Sequence, residues 1–390
     1  MSLDTYLHGV EVVEVNSGSR VIRTAATSVI GVICTANDAD GDTFPLNTPV
    51  LLTDPSAVLE KAGKTGTLKR TLNAIGSIVK TPTVVVRVED SDDSDTLTAN
   101  IIGSQENGKY TGLKALLTAQ STVFVKPKLI AVPKFDNQAV ATELATIAKK
   151  LSAFCFISDN GATTKEQAVA YSRNFTAREA MMIFGDWQSF DVDKKIYDVD
   201  YATARACAVQ AWIDKNIGWH KNISNVEVNG VTGVTKPVSF DINEPSTDAN
   251  FLNEKNITVC LNFNGFRYWG SRTLSSDTAF SFQQATRTAQ IIKETMAAAH
   301  SWLVDQPITV TNVKFAINSL NNKFAEWKRN GYILDGKAWV NKEITADTLK
   351  SGELIIDYDY HWVPSGESLR FNQHVNDSYV MDLVNAITKL

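Results

Sequence analysis

The side chains best placed for chemistry are acidic. Asp357, Asp359 and His361 alternate along GELIIDYDYHW (352–362), and Asp191 and Asp193 share that spacing. Asp-x-Asp-x-His offers two carboxylates and an imidazole to a metal ion. In a strand, however, residues i and i+2 lie roughly 6.5–7 Å apart. They share an ion only with help from other elements, and no helper is visible, so a polar strand face is the better reading. Asp191/Asp193 likewise reads as polar surface rather than an acid/base pair. The run EDSDDSD (89–95) lacks the glycine turn and distal glutamate of a calcium loop and reads as a solvated loop. AGKTGT (62–67) echoes a phosphate-binding loop, but the glycine required before Gly63 is Val58. His8, His220, His300, His361 and His374 show no H-x-x-x-H spacing, and there is no G-x-S-x-G elbow. Cys34, Cys155, Cys207 and Cys260 are far apart in apolar or alanine-rich runs, which predicts buried reduced thiols rather than a zinc site. No catalytic, metal or cofactor site is expected.

The bulk properties are those of an ordinary globular chain: 390 residues, 44% hydrophobic, 21% charged, net charge −5. That balance argues against a nucleic-acid partner. No run approaches the ~18 apolar residues of a spanning helix, and the N-terminus has no signal-peptide pattern, so no membrane insertion is expected and the chain is read as folding in a cytoplasm.

The elements follow from periodicity. Residues 1–24 read as a strand arm, with Val10, Val12 and Val15 interleaved with glutamates. TSVIGVICTA (27–36) and TVVVRV (83–88) are buried strands. Between them Asp54-Pro55 opens a short helix, and a second follows from Thr67. Lys128–Gly185 reads as β-α-β-α-β: strands LIAVP, AFCFI and MMIFG, one helix capped by Asp136 or Asn137, another running from Thr164 to about Arg178. Short links imply an open, mostly parallel sheet. An alanine-rich helix spans 200–217. Two amphipathic helices follow, one with Ala285, Ala289, Ile292, Met296, Ala299 and Leu303 on its stripe, the other with Val310, Val313, Ile317, Leu320, Phe324 and Trp327. The 352–362 strand comes next. In the tail, Leu369 and Phe371 continue a strand, and Val380, Leu383, Val384 and Ile387 form a stripe that something must cover. The fold class is α/β (α+β overall): an open, mostly parallel βαβαβ-type sheet domain plus a C-terminal α+β domain with extended terminal strands.

One stretch organises the rest. LNEKNITVCLNFNGFRYWGSRTLSSD (252–277) reads as a hairpin turning at Asn264-Gly265 and followed at once by Arg272. Leu252-Asn253, Ile257, Gly265, Trp269-Gly270, Arg272, Thr273 and Leu274 stand where contractile tail sheath proteins carry an LN-x-x-x-I segment and a G-x-x-x-WG-x-RT-L signature. Thr111-Gly112-Leu113, Gly331, Ile333-Leu334, Gly336 and Val363-Pro364 fit further segments in the same order. The proline of a SPAN-like segment is missing near Ser224-Asn225. The chain resembles that family, whose members sheathe the tail tubes of contractile-tailed phages and R-type bacteriocins.

The resemblance implies stacked hexameric rings around a tube that contract and drive it through a target envelope without nucleotide. It implies as partners other copies of the chain, the tail tube protein, and baseplate and tail terminator proteins, in a virion tail or tail-like particle. It divides the chain into an N-terminal arm (1–24), outer α/β sheath domains (25–250, with an insertion near 89–110), an inner sheath domain (251–370) and a C-terminal arm (371–390). The arms, through Val10, Val12, Val15, Leu369, Phe371, Val380, Leu383 and Ile387, are expected to knit neighbours together. A helix of the inner domain is expected to grip the tube, either 310–330 with Lys314, Lys323, Lys328 and Arg329, or 283–300. Gly265, Trp269, Gly270, Arg272 and Thr273 form the family motif; Trp269 and Leu274 are expected in the inner domain's core, with Arg272 pinning a loop or subunit contact. The competing reading is a nucleotide- or metabolite-binding α/β enzyme using the sheet of 128–185.

Overall fold

The valine-rich runs become the middle of an eight-stranded sheet. In the computed structural model, which describes residues 22–389, β1 (Ile30–Thr35) is followed by a short edge strand, β2 (Pro49–Leu52), and by β3 (Thr83–Val88), which pairs in parallel with β1 and antiparallel with β2. The crossover contains a 3-10 turn (Pro55–Lys61), in which Asp54 accepts from the Ser56 N–H, and helix α1 (Leu68–Gly76). The acidic run after β3 is only partly a loop. Asp93 accepts from the Thr96 N–H and caps α2 (Ser94–Ile102). A small hairpin follows, β4 (Gln105–Glu106) and β5 (Lys109–Tyr110), with two helical turns, α3 (Gly112–Ala115) and α4 (Ala119–Thr122).

The β-α-β-α-β passage takes its expected form: β6 (Leu129–Ala131), α5 (Gln138–Leu151), β7 (Phe154–Ser158), α6 (Lys165–Ser172) and β8 (Ala180–Phe184), all three strands parallel. Asn137, not Asp136, caps α5. Helix α6 stops at Ser172, short of Arg178, because Asn174 and Phe175 close tight i→i+3 turns and Phe175 folds back on Tyr171, ring centroids 5.2 Å apart.

A hairpin of β9 (Trp187–Asp191) and β10 (Ile196–Asp200) leads into α7 (Ala202–Asn216), and β11 (Gly233–Val234) joins β9. Then α8 (Asp248–Glu254) precedes β12 (Ile257–Asn262) and β13 (Phe266–Trp269). β12 pairs in parallel with β8, giving the order β13-β12-β8-β7-β6-β1-β3-β2. A boundary at 250/251 therefore cuts α8, and the hairpin expected in the inner domain belongs to the large sheet. Apolar layers cover both sheet faces. One includes Val86, Leu144 and Ile147, the other Phe154, Phe156 and the alanines of α7.

The remaining elements are α9 (Gln283–His300), α10 (Val310–Arg329), β14 (Ile333–Val340), α11 (Ala346–Lys350) and β15 (Ile356–Trp362). Among the described residues β14 and β15 pair only with each other, and Trp219, Ile292, Phe324 and Trp327 fill a separate core beside them. Among the described residues no further strand forms after Trp362. Leu369 and Phe371 lie in an exposed irregular segment, which corrects the expected strand continuation, and the chain ends in α12 (Ser378–Ile387). The reason is local: a strand needs a partner for its N–H and C=O groups, whereas a helix bonds to itself. The expected N-terminal strand with Val10, Val12 and Val15 lies outside the described residues.

Asp186 ties the sheet to the β9–β10 hairpin and α7. It accepts from the Ala202 N–H at 2.8 Å, and its backbone exchanges bonds with Thr235. Burial pushes its carboxyl up to about 7. The folded chain thus holds a proton that the unfolded chain releases near pH 4, so stability falls as pH rises from about 4 through about 7. Asp186→Asn keeps the acceptor and removes the charge. It should raise unfolding free energy by about 1–3 kcal/mol near pH 8 and by little near pH 5; equal denaturation shifts at both pH values would contradict this assignment.

Candidate functional site

The signature segment is built around the sheet's edge hairpin. Asn264 and Gly265 both have positive φ in the turn. Gly270 (φ +138°) ends β13 where an added Cβ would lie 2.8 Å from the Thr258 Cα, so a side chain is excluded twice over. Trp269 packs on Phe240 and Phe263, and Leu274 joins the sheet core; neither anchors the C-terminal body, a correction that follows from the hairpin's place in the sheet. The buried Thr273 donates its hydroxyl to Phe280 O at 2.8 Å and turns the chain toward α9. Arg272 emerges from that turn, half-exposed. Its Nε and Nη2 reach the two carboxylate oxygens of Glu367 at 2.8 and 2.6 Å, and its guanidinium lies over Phe282. Glu367 had no signal in the sequence: a single acid beyond Val363-Pro364 marks nothing until the fold brings it back.

Helix α9 departs most from the pattern read in its sequence. Its first turns are buried on nearly every side, polar residues included. Arg287 Nη2 meets Asp214 Oδ2 at 2.5 Å, both residues being almost fully buried. Burial pushes the Asp214 carboxyl up, while Arg287 opposes that shift. Gln283 donates to Gln210 (2.8 Å) and Gln290 to Ala153 O (2.7 Å). Gln284 accepts from Asn222 (3.0 Å). Glu294 holds Lys126 at 2.5 Å and also Lys128. These bonds fasten the C-terminal body to α7 and to the leading ends of the strands. A helix so enclosed cannot present its first half to a tube, which removes most of 283–300 as a gripping surface.

The residues considered for chemistry do not converge. Asp357 accepts from Asn341 and Asp359 from the Lys337 N–H, while His361 Nδ1 meets Trp362 O. Among the described residues no three His, Cys, Asp or Glu side chains gather as a metal site. A cleft of about 1040 Å³ does open at the C-terminal ends of the parallel strands, the place where α/β folds bind ligands. Its inner charges are committed to structure. Lys236 Nζ grips both oxygens of Asp159, and Arg70 bonds Asp191 and backbone carbonyls of the β9–β10 hairpin. Beside it Asp136, pushed up to about 6 by burial, takes the Ser158 N–H and hydroxyl.

Residues 27–88 match the tail sheath protein Gp18 domain III N-terminal region, 108–274 the phage tail sheath protein central domain, and 275–376 the phage tail sheath C-terminal domain. The chain is 48% identical over 393 residues to the tail sheath protein of Escherichia phage P2, covering 99% of each. This chain belongs to the phage tail sheath family. It is also 38% identical over 381 residues to the major tail sheath protein of Serratia phage KSP20, covering 96% of this chain and 97% of the relative. Its fold is similar to the helical sheath of the anti-feeding prophage in its contracted state (TM-score 0.72, 16% identity, 95% of this chain and 100% of that one). It is similar too to the sheath complex of an extracellular contractile injection system (TM-score 0.69, 14% identity, 97% and 100%).

In this sheath chain the α10 cations differ sharply in availability. Lys323 is 5% exposed, paired with Glu326 at 2.7 Å and set over Trp327, so it is removed as a free contact. Sequence spacing put it beside Lys314, but its place on the helix faces the core. Lys328 pairs with Asp335 at 2.5 Å on the surface, and Lys314 and Arg329 are exposed. No described helix is long and apolar enough to cross a membrane.

Substitutions at Arg272 and Arg287 probe these contacts. Arg272→Ala should leave the melting temperature within about 2 °C but speed protease cleavage in residues 363–377 several-fold, since a half-exposed ion pair contributes about 1 kcal/mol or less. Arg272→Lys, which cannot form the fork, should fall between. Arg287→Met should cost about 3–5 kcal/mol by stranding Asp214, and Arg287→Met with Asp214→Leu should recover much of it in a denaturation series.

Proposed function

We propose that this sheath chain is the repeating subunit of a contractile tail sheath: copies stack as hexameric rings around a tail tube, and the polymer shortens to drive the tube through a target envelope. The observation that carries the reading is the uncovered tail. Leu369, Phe371, Val380, Leu383 and Ile387 are all exposed, Phe371 at 89%, and α12 has no buried residue. An amphipathic helix and a segment this apolar have no reason to remain in water unless a neighbour covers them. A second copy of the chain is that neighbour in our reading. The β14–β15 pair, with both outer edges unpaired among the described residues, offers backbone groups on which an extended segment can add a strand.

The mechanical role follows from the division between rigid and tethered parts. The sheet and the α9 network form a well-bonded body, while the tail departs from it through an irregular segment held by the Arg272–Glu367 fork. Bodies joined by such tails can rotate against one another and stay linked, as a sheath with two packings requires. The tube is gripped by the outer face of α10 through Lys314, Lys328 and Arg329. Baseplate and terminator proteins meet the ends of the polymer, in a particle assembled in the host cytoplasm, and no catalytic step is needed.

Truncation after residue 369 should yield a folded monomer, with melting temperature within about 3 °C of the full chain, that forms no tubes by negative-stain microscopy. Tubes of normal appearance from the truncated chain would refute the tail's role.

A further inference from the structure

The residues that lead into β1 lie in the seam between the sheet and the C-terminal body. Residues 22–29 form no helix or strand. Val29 already belongs to the sheet core, and Ser28 O accepts the Thr81 hydroxyl at 2.9 Å. Further out the chain is held from the other side. Thr27 O accepts from Arg287 Nη2 of α9 at 3.3 Å, and the Ala25 N–H donates to Thr295 Oγ1 of α9 at 3.0 Å. Thr24 Oγ1 accepts from Trp327 Nε1 of α10 at 3.3 Å. Ile22, at the outer end, is buried, whereas Arg23 and Ala26 are exposed.

These three bonds yield differently from a strand ladder. A strand sheared along its length must break many bonds together, whereas contacts lined up from one end open one after another as local events. Here the order from the outer end is Thr24, Ala25, Thr27. The first to open frees Trp327. Its bond to Thr24 is the one side-chain hydrogen bond of Trp327 among the described residues. Its ring also meets Trp219, Phe324 and Lys323, contacts that fix no register as a directional bond does. The second frees the buried Thr295. The third leaves Arg287 on Asp214, so α9 stays fastened by that pair and by Gln283, Gln290 and Glu294. Peeling therefore loosens α10 and spares α9. Lys328 and Arg329 follow Trp327 directly in α10.

We propose that residues 22–28 are a strap that couples the N-terminal end of the chain to the seating of α10. Seated, the strap holds Trp327 and fixes α10 relative to the sheet. Drawn outward, it lets α10 shift while the α9 seam stays closed. A displacement of residues 1–21 by a neighbouring copy is thereby passed to the helix that carries Lys314, Lys328 and Arg329. Linkage makes the coupling reciprocal, so whatever displaces α10 also loosens the strap. The inference rests on the sheath reading for what pulls on the strap and what α10 meets. The coupling itself belongs to the single chain, and its test needs no polymer.

The test follows two readouts in the full chain at low concentration: tryptic cleavage after Arg23 for the strap, and amide hydrogen exchange of residues 320–332 for α10. Thr24→Val keeps the shape and removes the acceptor, and Thr295→Val does the same on α9. Each should raise cleavage after Arg23 about three- to tenfold, as the loss of one hydrogen bond implies, with the melting temperature within about 3 °C of wild type. Thr24→Val should also raise exchange at residues 320–332 at least about threefold and leave β7 and β8 unchanged. Thr24→Ser keeps the hydroxyl and should match wild type in both readouts. Faster cleavage with unchanged exchange in α10 overturns the coupling. Unchanged cleavage in both valine variants overturns the strap, and an equal response in Thr24→Ser assigns the effect to packing and overturns the role of the Thr24 bond. None of these outcomes touches the sheath reading, which the truncated chain decides.

Discussion

The seating of α9 governs how the rest of the molecule can be arranged. A helix enclosed over its first turns must satisfy its polar side chains inside the protein or leave them stranded. Arg287 with Asp214, the paired glutamines 283 and 210, Gln290 on Ala153 O and Glu294 on two lysines achieve this by taking their partners from α7 and from the ends of β6 and β7. Buried charge of this kind adds little net stability over apolar packing, but removing one partner is costly, so the arrangement admits few alternatives. Some atoms remain without a partner among the described residues, Arg287 Nε and Nη1 among them. The C-terminal body is held in one register against the sheet by directional bonds rather than by interchangeable apolar contacts.

The same economy applies where an α/β fold ordinarily keeps its chemistry. Carboxylates follow β6, β7 and β8 at the crevice where a ligand would sit: Asp136, Asp159 and Asp186. Each holds backbone or a lysine of its own chain: Asp136 the end of β7, Asp159 Lys236 and the Gly185 N–H, Asp186 the start of α7. They act as fasteners between strand ends and the elements that follow. Burial raises two of them because the fastened position is dry.

A polymerising subunit has to keep on its surface what a monomer would hide. On the proposed reading, the apolar tail and the β14–β15 edges are liabilities in isolation that a neighbouring copy covers.

The sequence by itself determined the sheet's parallel centre, because short links between β6, α5, β7, α6 and β8 allow only right-handed crossovers, and it determined the family, because the order of Gly265, Trp269-Gly270, Arg272 and Thr273 is local and chemically particular. It also determined where α10 begins and ends, whereas the stripe read for α9 ran on to Leu303, which lies in a 3-10 turn beyond the helix end at His300. Tertiary structure alone decided what those helices face. The 3-4 stripe of α9 describes a helix with one buried side, yet its polar residues are buried too, and their partners lie some 60 to 170 residues away. Lys323 and Lys314 look alike in sequence, and only packing buries one of them. The membership of β12–β13 in the large sheet, and the pairing of Arg272 with Glu367, depend on contacts between distant segments that no periodicity encodes. That Leu369 and Phe371 pair with no strand among the described residues, and that the helix forms only from Ser378, likewise depends on where the fold leaves the tail.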